Sequence, residues 1–279
     1  MTAYTQSGVP SRPGEPSYSF DNDDPEVVER FRFLAGMLDE GTIQRLSGLG
    51  ELTASRCLEV GAGGGSIARW MADQVGPAGR VLATDLNPRH IAAYPGYTVL
   101  AHDLVRDPIP EGPWDVIHAR LVLMHIPERR EILRRLASAL APGGALVIED
   151  FHSALTNLVL AAPDPESGAL FTAFQSTMVE QILRANGTDP SWATQIHAAM
   201  LDAGLVDVDT LISSRSWPGG TPGALLNGAN IQQVRGELVA TGFTDAQLDS
   251  LHRLIADPRL VLRGNLVYST VGRRPKAGA

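Results

Sequence analysis

The chain has 279 residues and a formal net charge of −8, from 23 Lys and Arg against 31 Asp and Glu. That length holds one α/β domain with an insertion, or two small domains, and the acidic balance argues against a general nucleic-acid or anionic-membrane surface. A single cysteine, Cys57, excludes a disulfide framework within the chain, and its place inside a predicted strand marks it as a buried, inert thiol.

Residues 1–20 are rich in Pro, Ser, Gly and Thr and are expected to be flexible. They lack the basic-then-apolar pattern of a leader, and no apolar run approaches the ~20 residues that span a bilayer. The expectation is a cytoplasmic protein with no membrane partner and no nucleic-acid partner. Asp24-Pro25 opens a helix as N-cap and first helical proline, with Val27, Val28, Phe31, Leu34, Met37 and Leu38 at helical spacing, and a second helix runs over 42–49. From 56 onward, apolar strand-like runs at 56–60, 80–84, 97–101, 114–118 and 144–149 alternate with helical segments. Such alternation predicts an α/β fold, a parallel sheet with helices on both faces, whose ligands sit beyond the C-terminal strand ends. Glu59, Asp85, Asp103, Arg120 and Asp150 all fall at or just past those ends. Arg129, Arg130, Arg134 and Arg135 cluster on one predicted helix and are read as a solvated face.

Residues 153–204 break the alternation. A helix over 168–185 and a second one from Asp189-Pro190 to near Gly204 read as a helical insertion placed as a substrate lid. A strand at 205–214, a helical pair at 222–241 and 244–256 and a final strand at 261–271 return the chain to the sheet domain, before a flexible tail at 273–279. On this division residues 21–152 form a helical cap with the cofactor-binding half, and 205–272 the remainder of the same sheet domain.

The stretch Cys57-Leu58-Glu59-Val60-Gly61-Ala62-Gly63-Gly64-Gly65 reads as a buried strand entering a glycine loop ahead of a helix. Glycine lets backbone turn sharply and lie against a ligand, and the helix start offers free N–H groups. Glu59, just before the loop, would repel phosphate and suits a cationic or hydroxyl-rich ligand. The dinucleotide pattern G-x-G-x-x-G fails at Ser66, and no G-K-[ST] is present.

The spacing resembles the E-x-G-x-G-x-G signature of class I S-adenosylmethionine-dependent methyltransferases. Val81-Leu82-Ala83-Thr84-Asp85-Leu86, Ala101-His102-Asp103-Leu104, the run from Trp114 to Ile126 and Leu140-Ala141-Pro142-Gly143-Gly144 followed by a strand to Asp150 resemble the same family in the same order. The resemblance implies a Rossmann-like sheet with an antiparallel last strand, a helical N-terminus, and a helical insertion over the substrate pocket. It implies S-adenosylmethionine as cofactor and S-adenosylhomocysteine as product. By that resemblance Gly61, Ala62, Gly63 and Gly65 form the cofactor loop, which Glu59 helps order beside the methionine amino group. Asp85, with Leu86, takes the ribose hydroxyls; Asp103 accepts from the adenine amino group and Leu104 stacks nearby. The backbone carbonyl of Arg120 faces the ammonium, the alternative being a surface arginine. Tyr18 closes over the cofactor or instead staples the first helix. Arg30 is expected to face solvent rather than reach the carboxylate.

His125 follows the fourth strand, near the transferred methyl, and is either a general base or a structural helix-capping histidine. His152 is the second candidate base. His102 and His118 are expected to pack near or within the sheet, and the histidines form no metal-ligand spacing. The implied reaction is in-line methyl transfer to an oxygen, carbon or nitrogen of a small, largely apolar molecule. Phe151, Leu155, Phe171, Phe174, Met178, Ile182 and Trp192 are candidates to line its pocket. This resembles small-molecule methyltransferases of bacterial specialised metabolism. A non-methylating enzyme that keeps the cofactor, such as a pericyclase, and an NAD(P)-dependent oxidoreductase are the alternatives. The oligomeric state stays open, a homodimer being one option.

Overall fold

The computed structural model describes residues 27–276 and residue 278; Asp24-Pro25 and Tyr18 lie outside the described residues. Helix α1 (Val27–Ser47) is continuous, where the sequence pattern suggests two helices. Gly41 costs an exposed helix only about 1 kcal/mol relative to alanine, and Thr42, in place of capping a new helix, buries its hydroxyl toward the sheet.

Strands β1 (Arg56–Val60), β2 (Arg80–Asp85), β3 (Tyr97–Ala101), β4 (Trp114–Arg120) and β5 (Leu140–His152) pair in parallel. With β7 (Val206–Ser213) and β10 (Leu266–Arg273) they form a seven-stranded sheet in the order β3-β2-β1-β4-β5-β10-β7. β10 is antiparallel to both β5 and β7. The alternation of each strand sends Leu58, Ile117, Leu146 and Ile148 to one face, against α3 (Arg129–Ser138) and α5 (Ile196–Asp202). Cys57, Val81, Val116 and Val147 go to the other face, against α2 (Ser66–Val75) and the C-terminal part of α1. Burial pushes the Cys57 thiol up to about 12, as expected of an inert thiol.

Beyond β5 the pattern read from sequence needs revision. Helix α4 (Pro165–Thr177) starts at Asp164, whose side chain accepts from the Ser167 N–H, so Asp164-Pro165 opens this helix three residues ahead of the expected start at 168. A π-helical turn, Met178–Leu183, continues α4. Asp189 does not begin a helix: its backbone N–H donates to the Met124 carbonyl, and a 3-10 turn, Trp192–Gln195, leads into α5. The expected strand at 261–271 divides at Gly264, where a Cβ would meet Trp217 Nε1 at 2.9 Å. Its first part, β9 (Val261–Arg263), joins β6 (Val159–Ala161) and β8 (Ser216–Pro218) in a small antiparallel sheet. Helices α6 (Pro222–Gln233), α7 (Arg235–Ala240) and α8 (Asp245–Ala256) share an apolar core with α4 that includes Phe171, Phe174, Ile231, Leu238 and Leu251. The helical chain after β5 thus shares one apolar core with helices from beyond β7.

Candidate active site

A cavity of about 770 Å³ opens at the C-terminal ends of β1, β2 and β4. Of the predicted cofactor residues, Glu59, Gly61, Ala62, Gly63, Asp85, Leu86, Asp103, Leu104 and Arg120 line it. Gly65 does not; its neighbours Gly64 and Ser66 do. Gly65 stands at the N-cap of α2 with φ +80°, and a Cβ there would meet Ile91 Cγ2 at 3.0 Å, behind the loop.

The loop's shape depends on glycine at two lining positions. Gly61 has φ +66°, and its Cβ would lie 2.3 Å from Val122 Cγ2; Gly63 has φ +54° and a Cβ would press on the Phe31 ring at 3.2 Å. The Gly63 N–H donates to Asp85 Oδ2 at 2.9 Å, and the Asn87 N–H to Asp85 Oδ1 at 3.0 Å. Burial raises the Asp85 carboxyl above its usual range, and those backbone donors partly offset the effect. Phe31, from α1, covers Gly63 and Gly64 and meets the His90 ring edge-on at 5.9 Å. By its spacing alone Phe31 reads only as a core-face residue of the first helix. Asp103 reaches the cavity wall while its Oδ1 accepts from the N–H groups of Val105 (2.9 Å) and Arg106 (3.2 Å), so it also shapes a turn.

A chain of buried polar groups runs beneath the loop. Glu59 Oε2 lies 2.7 Å from His118 Nδ1, and His118 Nε2 lies 3.4 Å from Glu149 Oε2. Thr42 donates its hydroxyl to Glu149, Arg120 Nη1 donates to Thr42 at 2.8 Å, and Arg120 Nη2 donates to Asp39 Oδ1 at 2.8 Å. The Arg120 side chain is thus enclosed and paired, which removes the surface alternative. Burial opposes charge on His118, but the flanking carboxylates outweigh it and carry the imidazole up to about 9. Burial likewise disfavours charge on Glu149, yet His118 holds its carboxyl down at about 2. One signal of this chain was legible: Glu59, His118, Arg120 and Glu149 all take the same face of adjoining strands by two-residue periodicity.

After β4, Leu121 adopts φ +56°, a strained conformation for a branched side chain, with its N–H on the Glu149 carbonyl at 2.8 Å. His125 ends the following 3-10 turn, Leu123–His125. Its Nδ1 is 3.0 Å from Thr188 Oγ1, and one edge of the ring borders the cavity. Withdrawal from bulk water, then the guanidiniums of Arg30 and Arg129, push the imidazole down to about 3. His125 also borders a second cavity of about 100 Å³ beneath the cap, shared with Arg30, Leu34 and Leu121. Phe151, Phe174 and Met178 line this second cavity. Phe171, Ile182 and Trp192 are buried in the cores, and Leu155 is exposed.

Several expectations are corrected. Arg30 is buried, not solvated, and donates from Nε to Asn230 Oδ1 at 3.1 Å. His152 borders neither cavity; its ring meets Tyr268 edge-on at 6.1 Å. Asp150 lies within β5, fully buried and off both cavity walls, and burial holds its carboxyl well above the usual range. His102, by contrast, packs beside the sheet as expected, buried with Nε2 3.0 Å from the Pro108 carbonyl. The arginine cluster on α3 is only partly solvated: Arg129 donates to the Gly187 carbonyl at 2.8 Å, and Arg135 to that of Leu104 at 3.1 Å. Among the described residues, no group of three or more His, Cys, Asp or Glu side chains is placed to hold a metal ion, and no helix is long and apolar enough to cross a membrane.

Residues 29–207, more than half of the chain, match the family model described as a methyltransferase domain. Methyltransferase str2 of Strobilurus tenacellus is 39% identical over 97 residues, covering 34% of this chain and 35% of that protein. The ubiquinone/menaquinone biosynthesis C-methyltransferase UbiE of Pseudomonas aeruginosa is 24% identical over 131 residues, covering 43% of this chain and 51% of that one. The aligned part thus spans about a third to a half of the length of these relatives. Among solved structures, Haemonchus contortus phosphoethanolamine N-methyltransferase 2 in complex with S-adenosyl-L-methionine superposes with a TM-score of 0.51 at 18% identity, covering 85% of this chain and 53% of that one, a likeness of fold. With a matching family model over most of the sheet and a glycine loop at its rim, the chain belongs to the methyltransferase domain family.

Proposed function

We propose that this protein transfers a methyl group from S-adenosylmethionine to an oxygen or carbon of a small, largely apolar acceptor. The observation that carries this reading is the junction of two cavities. The larger carries the glycine loop and the carboxylates Glu59, Asp85 and Asp103; the smaller is mainly apolar; His125, Arg30, Leu34 and Leu121 border both. The residues of the larger cavity fit the cofactor. Its wall offers acids for a positively charged, hydroxyl-bearing nucleoside, and a loop in which a Cβ at Gly61 would collide with Val122 and one at Gly63 would press on Phe31. Bound there, the cofactor supplies a methyl group already activated on a sulfonium.

The protein's own tasks are alignment and the exclusion of water, which together are worth up to roughly 7–11 kcal/mol when the geometry is good. The second cavity seats the acceptor's apolar body against Phe151, Phe174 and Met178. The polar surroundings then select the nucleophile. Arg30 and Arg129, which disfavour a proton on His125, by the same field favour an acceptor that has lost one and oppose the positive charge that builds on an amine nitrogen as it takes the methyl group. The role supported for His125 is therefore that of a neutral hydrogen-bonding group that orients the acceptor, in preference to a strong base. Phenols, enols and carbon acids are the favoured acceptors, and amines are the disfavoured class. Neither an oxidoreductase nor a cofactor-retaining non-methylating enzyme is favoured by any feature of the site.

The test is a panel of small phenols, enolisable carbonyl compounds and amines incubated with labelled methyl donor, read by mass spectrometry. Label in oxygen or carbon acceptors is expected. Label confined to amines overturns the acceptor class, and absence of cofactor binding by calorimetry overturns the whole reading.

A further inference from the structure

The glycine loop is bounded by two residues whose side chains enter the same buried network. Glu59 precedes the loop and meets His118; Ser66 follows it and donates to Asp39 Oδ1 at 3.2 Å, the carboxylate that Arg120 also holds. Between them the path runs through His118, Glu149, Thr42 and Arg120. It crosses β1, β4 and β5, then α1, and returns to the first residue of α2. His118 is the one member with a carboxylate at each of two ring nitrogens, and it is wholly buried. An imidazole can donate from both nitrogens only when it carries both protons. Without that charge, Glu59 and Glu149 would face each other across a neutral ring in a poorly solvated interior, an arrangement that disfavours ionisation of both acids.

Resting on the reading of the larger cavity as the cofactor site, we propose that His118 is a positioning residue for that site: by bridging Glu59 and Glu149 it fixes the carboxylate before the glycine loop and, through Thr42 and Arg120, ties both ends of the loop to α1. His118 has no place on the cavity wall, so it acts through Glu59, which has. The groups that set its charge are Glu59 on β1 and Glu149 on β5; Arg120 on its own strand and Asp39 and Thr42 on α1 are the further charged and polar members of the chain, and the Cys57 thiol on β1 is neutral. Among the ionised members, Glu59, Glu149 and Asp39 oppose Arg120 and the imidazolium, leaving a net negative charge beside a cavity read as holding a cation.

The experiment measures cofactor affinity by calorimetry from pH 6 to pH 10, a range spanning the roughly one-unit scatter around ordinary and shifted histidine values, for the full-length protein and its His118→Gln and Thr42→Val variants. Asp85→Ala serves as a direct test of the cavity. His118→Gln is expected to weaken S-adenosylmethionine binding about 10–100-fold, the range for a lost charge-assisted contact, and to remove an alkaline fall in affinity that the unaltered protein shows as pH rises through about 9. Thr42→Val is expected to weaken binding less and to keep that alkaline limb. Imidazole nitrogen NMR of the unaltered protein supplies a readout that does not depend on a variant folding: a ring protonated at both nitrogens at neutral pH is expected for His118. A ring that is neutral there overturns the proposal, as does a folded His118→Gln protein with unchanged affinity and unchanged pH profile. If the unaltered protein fails to bind the cofactor, or Asp85→Ala leaves binding intact, it is the cavity assignment that fails, and the NMR result still stands on its own.

Discussion

His118 and His125 lie on either side of one crossing of the sheet rim, the first inside β4 and the second in the turn that follows it. His118 is fully buried and His125 half-buried beside the cavity, yet one is carried up to about 9 and the other down to about 3. Desolvation acts in the same direction on both, against charge. The sign of the neighbours decides the outcome: two carboxylates for His118, and two guanidiniums for His125. The rim therefore has an interior side that stores a cation beneath the glycine loop and an outer side where a cation is unwelcome. The proposed reaction, between a positively charged donor and an anionic acceptor, would call for that division.

The largest way to break the contrast is His118→Leu. The substitution keeps much of the volume but leaves Glu59 and Glu149 buried without the cation that joins them. Removing one partner of a buried charged cluster costs about 3–5 kcal/mol, so denaturant midpoints are expected to fall sharply at pH 7. A loss of under about 1 kcal/mol would mean that the carboxylates find other compensation, and that the imidazolium is not what holds them.

The next test separates the two histidines by pH. His118 has a folded-state value raised above 6.5, so its contribution to stability is complete below pH 6.5 and is lost as pH rises through about 9. His125 has a folded-state value depressed below 6.5, so its contribution is complete above pH 6.5 and is lost as pH falls toward about 3. Thermal melts across the range are expected to decline on both sides of neutrality. The alkaline decline should flatten in His118→Gln and the acidic one in His125→Ala. Loss of the wrong limb in either variant would reverse the assignment.

What the sequence disclosed about these two places follows from where the information resides. The glycine loop, Asp85 and the strands β1 and β3 are local: a few adjacent residues state both the element and its turn. The same holds for the sheet's alternation, which placed Glu59, Asp103 and Arg120 near one edge. The His118 bridge is set by register between β1, β4 and β5, and a single sequence carries strand registers only as parity. The second cavity is less legible still. Its wall runs from Arg30 in α1 to Asn265 before β10, and joins residues that pack only because α6 and α8 complete the core of α4. Apolar spacing in residues 151–204 pointed to a pocket, but it did not separate Phe174, on the cavity, from Phe171, in the core behind it. Burial of Arg30 was equally hidden, since its Asn230 partner lies on a helix far away in sequence.

A smaller effect is expected from Arg30→Met, which thins the positive field on the outer side while keeping an apolar stem. If that field helps the acceptor ionise, the rising limb of the pH profile of kcat/KM for a phenolic acceptor should move up by about 1 unit, with about a tenfold loss at neutral pH. Amines should become better acceptors by comparison. An unmoved limb would locate the acceptor's ionisation elsewhere.

The smallest effect is expected where a catalytic histidine would give the largest. A general base is typically worth on the order of 10²–10⁴ in rate, and works best when its pKa lies near the operating pH. An imidazole held at about 3 has the wrong strength for that work at neutral pH, and a proton placed on it would face two guanidiniums. His125→Ala should therefore cost no more than about tenfold in kcat, the value of one neutral hydrogen bond, provided cofactor binding is intact. The loss should also shrink for acceptors that are already ionised in solution. A fall of a hundredfold or more, confined to acceptors that must lose a proton during the reaction, would show that acceptor binding reorganises the arginines and restores the ring's basicity, and the division between the two sides of the rim would then hold only for the protein without its acceptor.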